Sequence, residues 1–301
     1  MMKILKQETG AVIVLVALMM TVFLGSLALV IDVGSLYLEK NRLQKMADAA
    51  VLAGAQELPA SFDRAQTAVA QTITMNGGEP SNFHVSTNET NTVLDVTGTV
   101  TGKLYFAKLF GVDDPDLSAT AKVTLHSLTS GKGAIPLGIS KTQNLAFGTH
   151  QVLKVSESAS GNFGAIALTG PGAKLFETDL TNGYDFELKV NDILNTETGK
   201  MASPTVRAVQ NRVNKCPQAT YDNYAPDCAR LVLIPVIEPV DISSNQIKQV
   251  KVVGFATFFL EGVSSTNEGA EVSGRFVQFT KEGGNSQIQP NYGTYGMKLS
   301  Y

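Results

Sequence analysis

The chain has 301 residues, with 24 Lys and Arg against 27 Asp and Glu for a formal charge of −3. That length suits one or two folded units of roughly 100 to 200 residues each. No run of basic residues stands out along it, which argues against a nucleic-acid partner, because phosphate binding needs concentrated positive charge.

The first element is the apolar run Ala11 to Ile31, 21 consecutive positions without a charge. At about 1.5 Å per residue, a helix of this length crosses a hydrocarbon layer of roughly 30 Å. A single-pass membrane anchor is therefore expected. A cleaved signal peptide is the competing reading, since Lys3 and Lys6 precede the run and Ser26 with Ala28 offers small residues at a cleavage point. The run is long for a signal core of about 7 to 15 residues, which favours the anchor. Flanking charge does not orient it, because Lys40, Arg42 and Lys45 balance the two N-terminal lysines.

After Ile31 the pattern changes without a break. Val33, Leu36, Leu43, Ala47, Ala50 and Gly54 recur mainly at steps of three and four, while Glu39, Arg42, Lys45 and Asp48 lie largely elsewhere on the wheel. The segment reads as an amphipathic continuation of the membrane helix. Its small side chains permit close backbone approach, either to the folded remainder of the chain or to another helix. Asp32, Leu36, Leu43, Ala47, Ala50 and Gly54 are the candidate helix-interaction positions, with self-association through this helix as one outcome. Asp32 has two readings: a hydrated carboxylate at the membrane exit, or a partner for a cation or amide of a neighbouring anchor.

Residues 9 to 58 resemble the N-terminus of the TadE/TadG-like family of Flp (tight-adherence) pilus-assembly proteins. The resemblance rests on Gly10 and Ala11 at the entry, Asp32 and Gly34 at the exit, Tyr37, Leu43 and Gln44 in the charged turn, and the Ala-rich stretches Ala47 to Ala50 and Ala53 to Ala55. It implies a structural, membrane-anchored envelope component with pilus-assembly or other envelope proteins as partners. Two departures limit what is carried over. Leu15 stands where a processed type IV prepilin places a glutamate, counting from Gly10, and the Asp-x-Ser-x-Ser metal motif of a von Willebrand A-type domain has no match. The expected protein is thus TadG-like without that metal site.

Downstream, Ser61 is placed to cap a helix over Phe62 to Met75, with Asn76-Gly77-Gly78 ending it. Alternation predicts strands in residues 92–101 and 118–127, and a short apolar helix is expected in KLYFAKLFG between them. Residues 127 to 134, SLTSGKGA, mark a boundary. Leu231 to Ile237, Val252 to Leu260 and Arg275 to Phe279 suit buried strands. The fold class expected is α+β: an anchor and stalk helix over 1–58, a small helix-plus-sheet unit over 59–128, and a β-rich exported domain over 129–301.

Cys216 and Cys228 flank a Pro-containing polar loop and are expected to form a disulfide, which places the long C-terminal region outside the cytosol and the anchor in the inner membrane. No catalytic, cofactor or metal site is expected. His84, His126 and His150 are scattered singly, Gly161-Asn162-Phe163-Gly164 reads as a turn, and the acidic pairs Asp113-Asp114 and Glu238 with Asp241 read as solvated carboxylates. The sequon Asn88-Glu89-Thr90 is a three-residue match with little specificity. The alternative to a structural component is an anchored binding or adhesion protein without catalysis.

Overall fold

A computed structural model describes residues 9–155, 163–197, 200–243, 246–267 and 269–300. Lys3, Lys6 and the Gly161-Asn162 part of the expected turn lie outside the described residues.

The chain opens with a 47-residue helix, α1 (Thr9–Ala55). At about 1.5 Å per residue it is about 70 Å long. No proline interrupts it, and its interior Gly25 and Gly34 face open space. Its apolar window has mean hydropathy 2.7 and is 0% buried, so it is not a core helix of the domain that follows. From Leu43 onward one face of the same helix is enclosed. The helix α2 (Phe62–Met75) has the bounds its caps dictate. The Ser61 hydroxyl accepts from the Arg64 N–H at 3.2 Å, Asp63 sits favourably in the first turn, and the chain leaves through Gly77 at φ 73°. Ala65, Val69 and Ile73 form its buried face.

Strands β1 (Phe83–Thr87), β2 (Val93–Thr101) and β3 (Asp116–Leu128) follow, with a single 3-10 turn, Ala107–Phe110, in place of the expected short helix. Then come β4 (Ser130–Gly131), β5 (Leu137–Ser140), β6 (His150–Val155), β7 (Phe163–Ala167), α3 (Ala173–Asn182), β8 (Leu188–Lys189), β9 (Ile193–Thr196) and α4 (Ala202–Lys215). The C-terminal part contains β10 (Leu231–Ser243), β11 (Gln246–Thr266), β12 (Gly269–Val277), β13 (Phe279–Thr280), β14 (Asn285–Ser286) and β15 (Thr294–Ser300). The mixture is α+β, as the sequence patterns indicate.

The first sheet has the order β1-β2-β3-β15-β13, with β14 also on β3. It draws strands from both ends of the domain: β15 pairs antiparallel with β3 in a register that sets Tyr295 opposite Ser127. One face covers α1 and α2, joining Ala47, Ala50 and Val51 to Val69, Leu94 and Val123 in one apolar cluster. Gly54 is required by this approach, because a Cβ there would lie 2.6 Å from Val69 Cγ2 and 2.7 Å from Leu94 Cδ2.

In the second sheet the pairings run β10-β5-β7-β6-β12-β11 and return from β11 to β10, so the strands form a closed ring with β9 bridging β11 and β7. The two dense apolar stretches of the sequence are β10 and β11, the long hairpin of this ring, and β12 continues antiparallel beside β11. Phe258 and Phe276 meet edge to face at 4.9 Å in its core. Helices α3 and α4 pack on that core through Phe176, Leu180, Ala208 and Val209. Arg212 of α4 is buried and donates to the carbonyls of Leu180 at 2.6 Å and Ala229 at 2.8 Å, tying α3 and the following loop together. Burial pushes its guanidinium down to about 10. The Thr280 hydroxyl donates to the Leu58 carbonyl at 2.7 Å, which fastens the C-terminal return to the end of α1.

Candidate functional site at the membrane junction

Asp32 stands one residue beyond the apolar run and is only 3% exposed. Its carboxylate is turned onto the 105–107 segment of the same chain. It accepts the backbone N–H of Tyr105 at 2.7 Å on Oδ1 and that of Ala107 at 2.7 Å on Oδ2, and the Phe106 N–H lies 3.2 and 3.1 Å from the two oxygens. These are the free donors at the start of the Ala107–Phe110 turn, which offers no side-chain cap of its own. A carboxylate at such a terminus is favourable because it satisfies orphan donors and meets the positive end of the local dipoles. One acidic side chain on the stalk thereby caps a segment 73 to 75 residues further along the chain.

Asp114 fixes the same segment from its other side. Its carboxylate accepts the Leu104 N–H at 2.9 Å and pairs with Lys108 at 2.6 Å. The hydrogen bond from Lys108, with that from Leu104, holds the Asp114 carboxyl below the usual range. Gly102 closes the base of the loop by donating to the Pro115 carbonyl at 2.8 Å.

Of the other candidate positions, Leu36 packs over Gly102, where an added Cβ would be 2.4 Å from Leu36 Cδ2. Leu43, Ala47 and Ala50 are fully enclosed by α2 and the first sheet, and Gly54 is wedged between Val69 and Leu94. Val33, Tyr37 and Leu38 make up an exposed apolar face of the stalk. The partnership of Asp32 with Tyr105 to Ala107 was not legible in the sequence. Its only signal was a carboxylate too close to the bilayer to be left without donors.

Cys216 and Cys228 form a disulfide. Its loop lies over Phe259 of β11, with Tyr224 stacked on that ring at 5.6 Å between centroids and the Arg230 guanidinium 4.5 Å from it. Arg230 also donates to the carbonyls of Leu260 and Ala219, both at 2.7 Å, so the loop is tied by polar bonds as well as by sulfur. Replacing both cysteines with serine is expected to lower stability by roughly 3 kcal/mol, the chain-entropy value for a loop of this size, as read by urea unfolding of the detergent-solubilised protein. An unchanged midpoint and slope would show that Arg230 and Tyr224 suffice.

A cleft of about 680 Å³ lies where α1 meets α2, lined by Glu57, Arg64, Lys132, Glu187, Tyr224 and Lys281 among others. Glu57 pairs with Arg64 at 3.1 Å, and burial pushes the Lys281 ammonium down. None of the three histidines lines this cleft. Among the described residues no group of three or more His, Cys, Asp or Glu is placed to hold a metal ion. Glu238 is bridged by Lys141 and Lys251, and these hydrogen bonds lower its carboxyl to about 2. Asn88 of the sequon serves the β1–β2 turn: its carbonyl accepts the N–H of Thr92 at 2.8 Å and of Val93 at 3.1 Å.

A long helix, apolar and exposed over its first half and built into an α+β domain over its second, fits a single-pass membrane protein. Residues 10–57 match the family model described as putative Flp pilus-assembly TadE/G-like. That match covers α1 and the turn after it. No curated protein and no solved structure matches the chain.

Proposed function

We propose that this protein is a structural, non-catalytic component of the Flp (type IVb, tight-adherence) pilus-assembly machinery, of the TadG-like form. It is held in the inner membrane by residues 11–31, with the domain from residue 59 onward on the extracytoplasmic side. The observation that carries the reading is the coincidence of the 10–57 family match with a helix whose apolar half is unburied and whose small-residue half is a core element of the domain. The disulfide supports the orientation, since such bonds persist outside the cytosol. Because Leu43, Ala47 and Ala50 are used within the chain, partner anchors or a second copy meet the exposed face at Val33, Tyr37 and Leu38.

A photocrosslinking amino acid at Val33 or Leu38 is expected to yield adducts with Flp pilus-assembly proteins in intact cells. Protease added to spheroplasts is expected to reach the domain. Adducts with cytosolic proteins, or a domain digested only after lysis of the spheroplasts, would refute the assignment. A second reading, an anchored extracytoplasmic binding protein, is favoured by the cleft beside the α1–α2 turn. In that case a soluble ligand would stabilise the domain against heat.

A further inference from the structure

The segment between Gly102 and Pro115 runs down the stalk toward the bilayer. Gly102 lies against Leu36, the Lys103 carbonyl lies 3.2 Å from the Ser35 hydroxyl, which also reaches the Asp32 carbonyl at 2.9 Å, and Tyr105 to Ala107 reach the Asp32 carboxylate. The contacts thus step from position 36 to 35 to 32, a descent of about 6 Å along the helix axis, and end beside the first residue after the apolar run. Beyond that point in the chain comes the tip of the loop, closed by Gly111 at φ 78°. Its large side chains have no cover: Leu109 is 79% and Phe110 85% exposed, and Tyr105 and Val112 are exposed as well. Lys103 and Lys108 stand among Asp113 and Asp114, and Lys108 is already paired, so net charge gives the tip little attraction to anionic headgroups. What it offers is apolar and aromatic surface, the composition found at the boundary between headgroups and acyl chains.

We propose that this loop is a second membrane contact: Leu109 and Phe110 enter the interfacial layer of the bilayer that α1 spans, with Tyr105 and Lys108 at headgroup level. Lipid is the occupant because Asp32, one residue past the apolar run, clamps the loop, and the exposed Leu109 and Phe110 follow that clamp by two and three residues, within reach of the layer where the span ends. Asp32 is the positioning residue that holds the loop at this depth. Two contacts with one bilayer fix the tilt and rotation of the domain, which a lone helix leaves free. The inference rests on the reading of α1 as a membrane span.

The protein has no tryptophan, so single reporters can be introduced into the full chain. Phe110→Trp, Phe23→Trp and Ile288→Trp are each reconstituted in phosphatidylcholine–phosphatidylglycerol vesicles without bromolipid, with lipid brominated near the ester end of the acyl chains, and with lipid brominated near the chain terminus. The expected result is blue-shifted emission quenched by the bromolipid at positions 23 and 110, and water-like emission quenched by aqueous iodide at 288. In F110W, bromines near the ester end should quench more than bromines near the chain terminus, and adding Asp32→Ala should shift its emission toward that of I288W. Quenching at 23 with iodide-accessible, bromolipid-insensitive emission at 110 overturns the proposal and leaves the anchor standing. Emission at 110 shielded from both quenchers assigns the tip to a second copy and also overturns it. No bromolipid quenching at 23 removes the anchor, and the proposal with it.

Discussion

Asp32→Ala unclamps the 103–112 segment while leaving the domain folded. Three part-buried backbone donors lose their acceptor, and the penalty for each is at most that of a fully buried donor left without a partner, about 1–3 kcal/mol. Amide exchange at Tyr105, Phe106 and Ala107 should therefore accelerate by about tenfold or more, and proteases should cut within the loop. Asp32→Asn should fall between, since it keeps the shape and one acceptor oxygen but turns an amide donor toward the N–H groups. The core begins at Leu43, about three turns further along the helix, so thermal unfolding of the domain should change little. Exchange rates unchanged in D32A would mean that Asp114 and the turn geometry alone hold the loop.

Ala50→Leu is expected to act on folding. Ala50 is fully enclosed between α2 and the first sheet, and inserting a larger side chain into such a core costs typically about 1–3 kcal/mol. Gly54→Val should be at least as severe, because its Cβ alone would meet Val69, Leu94 and the Ala65 carbonyl. Both variants should stay in the membrane, since the span is untouched, yet become protease-sensitive and fall in abundance. Leu38→Ala on the exposed face should leave stability within about 0.5 kcal/mol. Denaturant midpoints of the solubilised proteins, read beside cellular abundance, separate these effects. If A50L kept its stability and lost only crosslinks to envelope proteins, the small-residue seam would be an intermolecular surface.

Local chemistry made much of this architecture readable. Ser61 and Asn76-Gly77-Gly78 set both ends of α2, and the alternation of Leu94 and Val96 set the inward face of β2. Two helices were hidden for a physical reason. The buried face of α4 consists of Pro204, Thr205, Ala208, Val209 and Arg212, so its inward stripe carries no large apolar side chain beyond Val209, and α3 follows Gly170-Pro171-Gly172, which reads as a turn. The return of β15 to β3 and the reach of Asp32 to Tyr105 join residues far apart in sequence, and periodicity carries no information about such pairs. Ala47, Ala50 and Gly54 were legible as a seam of small side chains on α1. Which surface they face depended on the fold of everything after residue 59.

If this chain works in building Flp pili from a membrane-held position, as proposed, deletion with complementation in the native cell will show it. Surface Flp fibres, counted by electron microscopy, should disappear in an in-frame deletion strain. They should return with the full chain and fail to return with a version whose residues 1–31 are replaced by a cleavable signal that still exports the folded domain. Fibres at wild-type number in the deletion strain, with the remaining assembly proteins at normal levels, would rule out a part for this chain in building the pili.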